Sequence, residues 1–464
     1  MRTVVVIGGG ISGLSTAWLL DRQARESGRF LEICLLEQEQ QPGGKIRSVR
    51  ESGFLCEWGP NGFLDSKPQT LELCAALGIT DQLHRSNDNA RKRFIFTGGQ
   101  LHQLPENGPS FLKSGLLSWP GKLRLIGEPF AAAAPGNDET LAAFGRRRLG
   151  TEALQKLIAP MASGIFAGDP ETMSLQSCFP RIAELERDYG GLFRAMLALA
   201  KKKKQERAEG KISSSAAGPG GTLTSFRQGI QFLTDTLATQ LGDRVKTGAT
   251  AIDVRQVDQQ WQIGLSDGSR MTADLVILAA PAYAAAGMLQ ETDAVLADIL
   301  RRILYSSLSV VCCGYDTAGL GHPLDGFGYL IPKEERRTAL GTLWDSSMFE
   351  ERAPAGRALL RSMAGGACRP ELFGLSDEEL LQRVRSDIQA AMGITAAPCF
   401  SRVIRHQQAI PQYTVGHAGR LEQIEGRLAG LPGLLLTGNA FKGVGLNDCV
   451  AASQATVNRV LAMM

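Results

Sequence analysis

The stretch that decides the fold is Thr3–Leu20, which reads TVVVIGGGISGLSTAWLL. Its continuous apolar run from Thr3 to Ile7 is typical of a buried strand, and the pattern becomes helical from Ser12 to Leu20. The run Leu31–Glu37 (LEICLLE) then predicts a second strand. Two parallel buried strands joined by a helix form a βαβ unit, so the chain is predicted to begin as an α/β protein.

Three glycines, Gly8, Gly10 and Gly13, lie between that first strand and the helix with the spacing GxGxxG. This is the dinucleotide fingerprint: a tight turn, a close approach of a pyrophosphate to the backbone, and close packing of helix on strand. The phosphates would lie at the N-terminus of the helix, where free N–H groups favour anions. Glu37 ends the second strand and is placed to accept hydrogen bonds from ribose hydroxyls. Because its carboxylate would repel a 2′-phosphate, NADP is disfavoured.

The bulk composition narrows the class of protein. The chain has 464 residues, of which 44% are hydrophobic, and a net charge of +3, which gives no indication of a nucleic-acid partner. Nine cysteines without a CxxC pair and five scattered histidines predict no metal site and no hydrolytic triad. The cysteine usage fits a reducing compartment, and no signal peptide or membrane-spanning helix is expected. We therefore expect a cytoplasmic location.

Later strands show how the chain is organised. Strands are predicted at Asp274–Ala279 and Leu434–Thr437, followed by a C-terminal helix from about Asn447. Because sheet strands occur at the beginning, middle and end of the chain, the nucleotide-binding domain must be discontinuous, with the other domains inserted into it. Residues 106–200 look mainly helical, and the charged, then Ser/Gly-rich, segment 201–221 is predicted to be a solvated loop or helix end.

Two further glycine clusters favour FAD over NAD. Gly43 and Gly44 follow Glu37, and a glycine loop from Gly438 to Gly445 leads into the last helix. An NAD enzyme with one such unit does not need the second loop. A flavin does, because its ring lies far from its adenine, and the N-terminus of the last helix can face the pyrimidine end of that ring.

Together these motifs resemble the superfamily of FAD-dependent amine oxidases, phytoene desaturases and protoporphyrinogen oxidases, over nearly the whole chain. The stretches 160–170 (PMASGIFAGDP) and 325–332 (DGFGYLIP) are similar to those of porphyrinogen oxidases in particular. The resemblance implies oxidation of protoporphyrinogen IX to protoporphyrin IX in haem biosynthesis by hydride transfer to non-covalent FAD, with dioxygen reoxidising the flavin. No strong general base is needed, since the pyrrole nitrogens stabilise the cation that forms.

The resemblance also implies the residues of two sites. FAD contacts are expected from Gly8, Gly9, Gly10, Ile11, Ser12, Gly13, Glu37, Gly44, Lys45, Gly59, Pro60, Asn61, Gly62, Val245, Asn439, Val444, Gly445 and Leu446. Substrate contacts are expected from Arg93, which would hold a carboxylate, from Gly164, Phe327 and Leu330, which would line a flat apolar slot, and from Asn61. Lys45 stands where relatives often carry an aromatic residue, and the identity at Asn61 varies, so the contacts of these two stay open. Without the resemblance, a solvated basic cluster would be the usual explanation of Arg93, and core packing that of Phe327 and Leu330.

We therefore expect an α/β fold with three parts. A discontinuous Rossmann-like FAD-binding domain would comprise residues 1–80, 222–285 and 428–464, and an inserted α+β substrate domain residues 81–95, 196–221 and 286–427. Residues 96–195 would form an inserted helical domain. Its segment 111–129 (FLKSGLLSWPGKLRLIGEP) combines apolar, aromatic and basic residues, which predicts a helix lying in a membrane interface and hence peripheral attachment; packing against the body of the protein is the alternative.

Three other functions remain open from the sequence. One is oxidation of coproporphyrinogen III to coproporphyrin III, which would need more cations near the slot to hold four carboxylates. Another is amine or carotenoid oxidation on the same fold, which would leave the 160–170 stretch and Arg93 without purpose. The third is porphyrin binding without turnover. The oligomeric state is also open, a homodimer included.

Overall fold

The computed structural model describes residues 2–87, 91–134, 136, 138–208 and 221–464. Its strands are β1 (Arg2–Ile7), β2 (Leu31–Glu37), β3 (Ser48–Glu51), β4 (Phe54–Glu57), β5 (Phe63–Leu64), β6 (Leu83–Arg85), β7 (Arg93–Thr97), β8 (Gln100–Gln103), β9 (Leu223–Phe226), β10 (Val245–Thr247), β11 (Ala251–Val257), β12 (Gln260–Leu265), β13 (Arg270–Ala273), β14 (Leu275–Leu278), β15 (Tyr305–Asp316), β16 (Gly328–Leu330), β17 (Ala339–Trp344), β18 (Arg357–Gly365), β19 (Phe400–Pro411) and β20 (Leu434–Leu436). Its helices are α1 (Ile11–Glu26), α2 (Pro68–Leu77), α3 (Gly108–Lys113), α4 (Trp119–Ile126), α5 (Leu141–Phe144), α6 (Thr151–Ala153), α7 (Ala159–Phe166), α8 (Leu175–Cys178), α9 (Pro180–Tyr189), α10 (Leu192–Ala208), α11 (Gln231–Leu241), α12 (Ala282–Met288), α13 (Ala294–Arg301), α14 (Asp345–Met348), α15 (Asp377–Met392), α16 (His417–Leu428) and α17 (Leu446–Ala462).

A parallel sheet with the order β10-β2-β1-β14-β20 forms the nucleotide-binding unit. Every pairing in it is parallel, which confirms the parallel pairing predicted for β1 and β2, and its strands come from the beginning, middle and end of the chain, as predicted. Helices α1, α11 and α17 pack on one face of the sheet, while α12, α13 and the β11-β12-β13 meander pack on the other. The GxGxxG turn thus lies between the central strand β1 and a helix buried along much of its length.

A second sheet has seven strands in the order β19-β15-β18-β17-β16-β7-β8. Helix α15 covers one face, and the β3-β4 hairpin packs against the other. Strand β8 extends this sheet to Gln103, beyond the predicted limit at residue 95. The core of the nucleotide-binding unit includes α13, which was assigned to the substrate domain, and α12 and the end of α16, which the predicted boundaries at 285 and 428 divide. The division into three domains stays a prediction. The pairing of β7 with β8 and the packing of α12, α13 and α16 bear on where its boundaries lie.

The stretch from α3 to α10 is mainly helical, as predicted. A buried ion-pair cluster links its helices: Arg148, 1% exposed, pairs with Glu128 and Glu186, which are also buried. None of the helices in the described part of the chain is long and apolar enough to cross a bilayer.

The lysine run Lys201–Lys204 is helical, whereas the preferred prediction for it was a surface loop. Helix α10 continues through it to Ala208, so the run matches the alternative of a solvated helix end. The side chains of Lys201, Lys202 and Lys204 are exposed. Most of the rest of the predicted loop, residues 209–220, lies outside the described residues.

Candidate active site

In the turn between β1 and α1, each glycine of the fingerprint is required for a different physical reason. Gly8 has φ +110°, and a Cβ on Gly13 would lie 1.8 Å from the carbonyl oxygen of Gly8, so the close contact of helix and strand depends on glycine. A Cβ on Gly10, by contrast, would meet no described protein atom within 4 Å. The space beside Gly10 is therefore open to a ligand, which supports a phosphate approaching the backbone there.

The N-terminus of α1 lacks a partner from the protein. Among the described residues, no side chain caps this helix, and its first turn contains no acidic residue. The first N–H groups of a helix have no partner within the helix, and its dipole favours negative charge at this end. An anion such as a pyrophosphate fits here.

Glu37 is buried at the end of β2, beside the glycine turn. Its carboxylate accepts hydrogen bonds from the N–H of Gly9 at 2.7 Å and of Glu39 at 2.8 Å. Val245 lies on the neighbouring strand β10, opposite Leu35 and two residues from the level of Glu37. The predicted ribose and adenine contacts thus share one edge of the sheet.

The second glycine pair packs directly against the first. The N–H of Gly43 donates to the carbonyl of Gly9 at 2.7 Å, and a Cβ on Gly44 would lie 3.2 Å from the Cα of Gly10. Lys45, next in the chain, points towards the seven-stranded sheet. Its ammonium group donates to the carbonyl of Gln408, 3.0 Å away. Burial lowers the pKa of Lys45 to about 8.

The loop of residues 58–62 lies between the glycine turn and the seven-stranded sheet. A Cβ on Gly59 would come within 2.7 Å of the carbonyl of Lys45, and one on Gly62 within 2.3 Å of the carbonyl of Thr224. The glycines of this loop are therefore required by the protein's own backbone, whatever they also offer a flavin. The amide nitrogen of Asn61 donates to Asp345 at 3.0 Å.

The C-terminal glycine loop is held by an aromatic pair. The hydroxyl of Tyr413 donates to the carbonyl of Asn439 at 2.5 Å, and His417 stacks on Tyr413 while its Nε2 lies 3.1 Å from the carbonyl of Phe441. Burial lowers the pKa of His417 to about 4, so the ring is neutral at pH 7.

This loop ends where α17 begins. Gly445 is the N-cap of α17, and Val444 packs against the core of the helical region. Leu446 is buried in the core of the nucleotide-binding unit, so it can offer a flavin only its backbone. Cys449 is also buried there, and burial raises the pKa of its thiol to about 11, as expected of a core residue.

Several buried polar atoms around these loops have no partner among the described residues. They are Asn61 Oδ1, Thr437 Oγ1, Asn447 Oδ1, Arg47 Nε and Trp58 Nε1. Buried polar groups in proteins are nearly always hydrogen-bonded, so the unpaired ones on these loops fit a polar heterocyclic ligand; other buried atoms without a described partner, such as Ser309 Oγ and Tyr329 Oη, lie elsewhere in the fold. The sequence-based site omitted four of these residues, namely Arg47, Trp58, Thr437 and Asn447. Thr437 had a usable signal, because it follows β20 at the carboxyl edge of the parallel sheet, where such sheets bind ligands.

Four of the predicted substrate residues, from three separate stretches of the chain, form two contacts. Arg93 on β7 lies opposite Gly328 on β16, and its guanidinium group is 5.1 Å from the centre of the Phe327 ring. A Cβ on Gly164 of α7 would lie 2.9 Å from Leu330. Phe327 and Leu330 are half-buried, while Arg93 is exposed.

Two neighbouring cations, Arg93 and Lys92, differ in whether they already form an ion pair with a described carboxylate. No carboxylate of the described residues forms an ion pair with Arg93, whereas the adjacent Lys92 pairs with Asp325. Arg93 can therefore bind a ligand carboxylate without breaking an ion pair to a described residue.

Comparison with known proteins places the chain in a family. The sequence model of the flavin containing amine oxidoreductases matches residues 11–461. The chain belongs to this family. Membership confirms the superfamily resemblance and FAD as the cofactor, and the glycine turn, Glu37 and the unpaired polar atoms are the features of this chain that fit it.

Relatives in this family carry two names. A coproporphyrinogen III oxidase from Bacillus subtilis is 31% identical over 99% of this chain and 98% of its own length. Protoporphyrinogen oxidases from Macaca fascicularis and Oryza sativa are 33% and 31% identical, over 99% and 98% of this chain and 98% and 87% of their own lengths. A solved structure assigned as a protoporphyrinogen oxidase from Exiguobacterium sp. 255-15 has 27% identity and a TM-score of 0.85, covering 100% of this chain and 99% of that one.

Proposed function

We propose that the chain oxidises protoporphyrinogen IX to protoporphyrin IX, as a step of haem biosynthesis. The observation that carries the proposal is a pair of contacts among the predicted substrate residues. The guanidinium group of Arg93 lies 5.1 Å from the centre of the Phe327 ring, and Gly164 lies against Leu330, three residues further along the same segment. Relatives named protoporphyrinogen oxidase, aligned over nearly the whole chain, support it. A slot lined by these residues would offer what the substrate requires: apolar walls for the macrocycle and a cation for a propionate.

The residues of the chain act mainly by positioning. The bound flavin supplies the chemistry, by taking a hydride from a methylene bridge of the macrocycle. The glycine turn and the N-terminus of α1 would hold the phosphates, and Glu37 the ribose. Arg93 would hold a propionate through a bidentate pair, and Phe327 and Leu330 would hold the ring and exclude water from it.

The proposal is tested by mixing the purified protein anaerobically with protoporphyrinogen. The yellow colour should bleach and porphyrin fluorescence should develop. Arg93→Ala should raise KM, while the matched control Lys92→Ala should leave KM unchanged, because Lys92 pairs with Asp325. A protein with a full flavin complement and no turnover would favour porphyrin binding instead and defeat the proposal.

A second candidate is oxidation of coproporphyrinogen III. It is favoured by the Bacillus subtilis relative, which matches nearly the whole chain. The measurement that separates the two is the steady-state kcat/KM on each porphyrinogen with the same enzyme preparation. A higher kcat/KM on coproporphyrinogen would replace the first proposal with the second.

Dioxygen as electron acceptor and a cytoplasmic location belong to the same proposal. Peroxide formed in step with porphyrin would support dioxygen, and turnover that needs an added quinone would contradict it. Sedimentation would measure whether two copies associate as a homodimer.

We also propose peripheral membrane attachment through α3, α4 and the turn after α4. Exposed apolar side chains support it: Trp119 is 65% exposed, Leu123 67% and Phe130 90%. A cavity of about 590 Å³ between α3 and α4 has apolar and basic walls. The predicted single amphipathic helix is divided into these two short helices, and Leu116 and Leu117 between them are buried rather than available to lipid.

Liposome flotation tests the attachment. Wild type should float, and the triple variant Trp119→Ser/Leu123→Ser/Phe130→Ser should stay in the soluble fraction. The matched control is Phe30→Ser, since Phe30 is 76% exposed on the nucleotide-binding unit. Wild type that remains soluble would contradict the idea.

A further inference from the structure

A buried ion pair anchors the 58–62 loop to the seven-stranded sheet. The guanidinium group of Arg361 donates to the carbonyl of Gly59 at 2.9 Å and, through Nε, to the carboxylate of Asp345 at 2.8 Å. The other carboxylate oxygen of Asp345 accepts from the amide nitrogen of Asn61 at 3.0 Å. One ion pair therefore fixes both the backbone and a side chain of the loop.

The sheet register brings the two charges together. Arg361 on β18 lies opposite Leu343 on β17, two residues before Asp345. Both charged side chains are 1% exposed or less. Burial acts most strongly on the pKa of Arg361 and lowers it, but the charge and hydrogen bond of Asp345, together with Cys312 and Glu57, outweigh burial, so that the pKa is raised and the group stays charged. Because buried ion pairs are often no more stabilising than well-packed apolar residues, stability alone does not account for this one.

The pair determines which way the amide of Asn61 faces. An ionised carboxylate only accepts hydrogen bonds, so Asn61 must present its NH₂ group to Asp345. Its oxygen then faces elsewhere and has no partner among the described residues, although Asn61 is only 8% exposed. A buried, unpaired acceptor held in a fixed direction fits a ligand N–H group.

The same segment also supports the substrate slot. The N–H of Trp344, which precedes Asp345, donates to the carbonyl of Phe327 at 3.0 Å. Met348 of α14 packs in one cluster with Phe327. The ion pair thus lies at the junction of the slot wall and the 58–62 loop.

We propose that Asp345 and Arg361 are positioning residues, whose ion pair orients Asn61 so that its oxygen accepts a hydrogen bond from a ring N–H of the bound ligand. The inference rests on the proposed function, because both available N–H donors belong to it: the flavin ring and the pyrroles of a porphyrinogen. The two sources share one chemistry, a flat heterocycle with N–H donors.

The test compares an apolar replacement of the pair with removal of the acceptor. Asp345→Leu/Arg361→Met replaces the pair by side chains of similar volume, a change that buried pairs commonly tolerate. Asn61→Leu removes the acceptor. Both variants should weaken the binding of the same ligand, either FAD or protoporphyrinogen, by about tenfold, which is the scale of one hydrogen bond. The triple variant should weaken that binding no further. The matched control is Glu128→Leu/Arg148→Met, which replaces an equally buried pair in the helical region.

Two readouts distinguish the ligand. A shifted visible flavin band and weaker FAD binding by apoprotein, both measured without substrate, would identify the flavin as the donor. A raised KM for protoporphyrinogen with an unchanged flavin band and unchanged kcat would identify a pyrrole. If the double variant does not fold, Asp345→Asn is measured in its place with the same readouts.

The proposal is overturned if the pair variant changes neither readout, if its effect and that of Asn61→Leu simply add, or if the control pair changes them equally. Wild type that binds flavin without oxidising a porphyrinogen would defeat the proposed function alone. In that case the flavin band and the FAD affinity of the pair variant would still test whether Asp345 and Arg361 position Asn61. Unchanged values of both would overturn that role.

Discussion

Replacing Gly10 by alanine separates folding from flavin binding. Gly10 has φ −74° and ψ −179°, a conformation that alanine adopts freely, and the added Cβ meets no described protein atom within 4 Å. We therefore expect flavin-free Gly10→Ala to be as stable as wild type or more stable by about 0.4–1 kcal/mol, because alanine restricts the unfolded chain. The methyl group would instead occupy the space beside the N-terminus of α1.

The loss of affinity follows from the hydrogen bonds that the methyl group would displace. A hydrogen bond to a charged group contributes about 1.5–3 kcal/mol, so the loss of one should weaken FAD binding roughly 10- to 150-fold. Fluorescence titration of apoprotein with FAD measures the affinity, and thermal unfolding without flavin measures the stability. Gly13→Ala is the contrast: its Cβ would lie 1.8 Å from the oxygen of Gly8, so stability and binding should fall together. Wild-type FAD affinity in Gly10→Ala would refute a phosphate site at this turn.

Three further changes have defined outcomes. Arg93→Ala should raise KM for protoporphyrinogen roughly 10- to 150-fold through the loss of a charged hydrogen bond, with little change in kcat, and an unchanged KM would count against the carboxylate contact. Glu128→Ala leaves the buried charge of Arg148 undercompensated and should cost about 3–5 kcal/mol in urea unfolding; a change below about 1 kcal/mol would show that Glu186 suffices. The low pKa of His417 means that the unfolded chain binds more protons between pH 6.5 and about 4, so stability should fall as the pH drops through that window. His417→Gln lacks the titrating ring and should remove up to about 3 kcal/mol of this loss; identical pH profiles for variant and wild type would contradict it.

Four of the five strands of the nucleotide-binding sheet were accessible from the sequence because they are largely buried, whereas the short, more exposed β10 was not predicted. Such strands appear as unbroken apolar runs, and the predicted β2, Leu31–Glu37, has the bounds found in the structure. The glycine spacing was equally informative, since a Cβ on Gly13 meets the backbone at once.

Other features could not be predicted, because they depend on contacts between residues that are distant in the sequence. Asp345 and Arg361 belong to different elements and meet only through the register of β17 and β18. Leu116 and Leu117 are as hydrophobic in the sequence as the exposed Trp119, and only tertiary packing shows that the two leucines belong to the core. Hydrophobicity shows that a side chain seeks an apolar surface, without saying whether protein or lipid provides it.

The position of β20 in the parallel sheet has a consequence for how the protein is made. It completes one edge of that sheet from Leu434 onwards, and α17, which follows, packs against α1 near the start of the chain. During synthesis the N-terminal glycine turn leaves the ribosome more than 400 residues before these partners do. FAD capture should therefore be a late event that follows synthesis of β20 and α17, and nascent chains halted before Leu434 should emerge without the yellow cofactor.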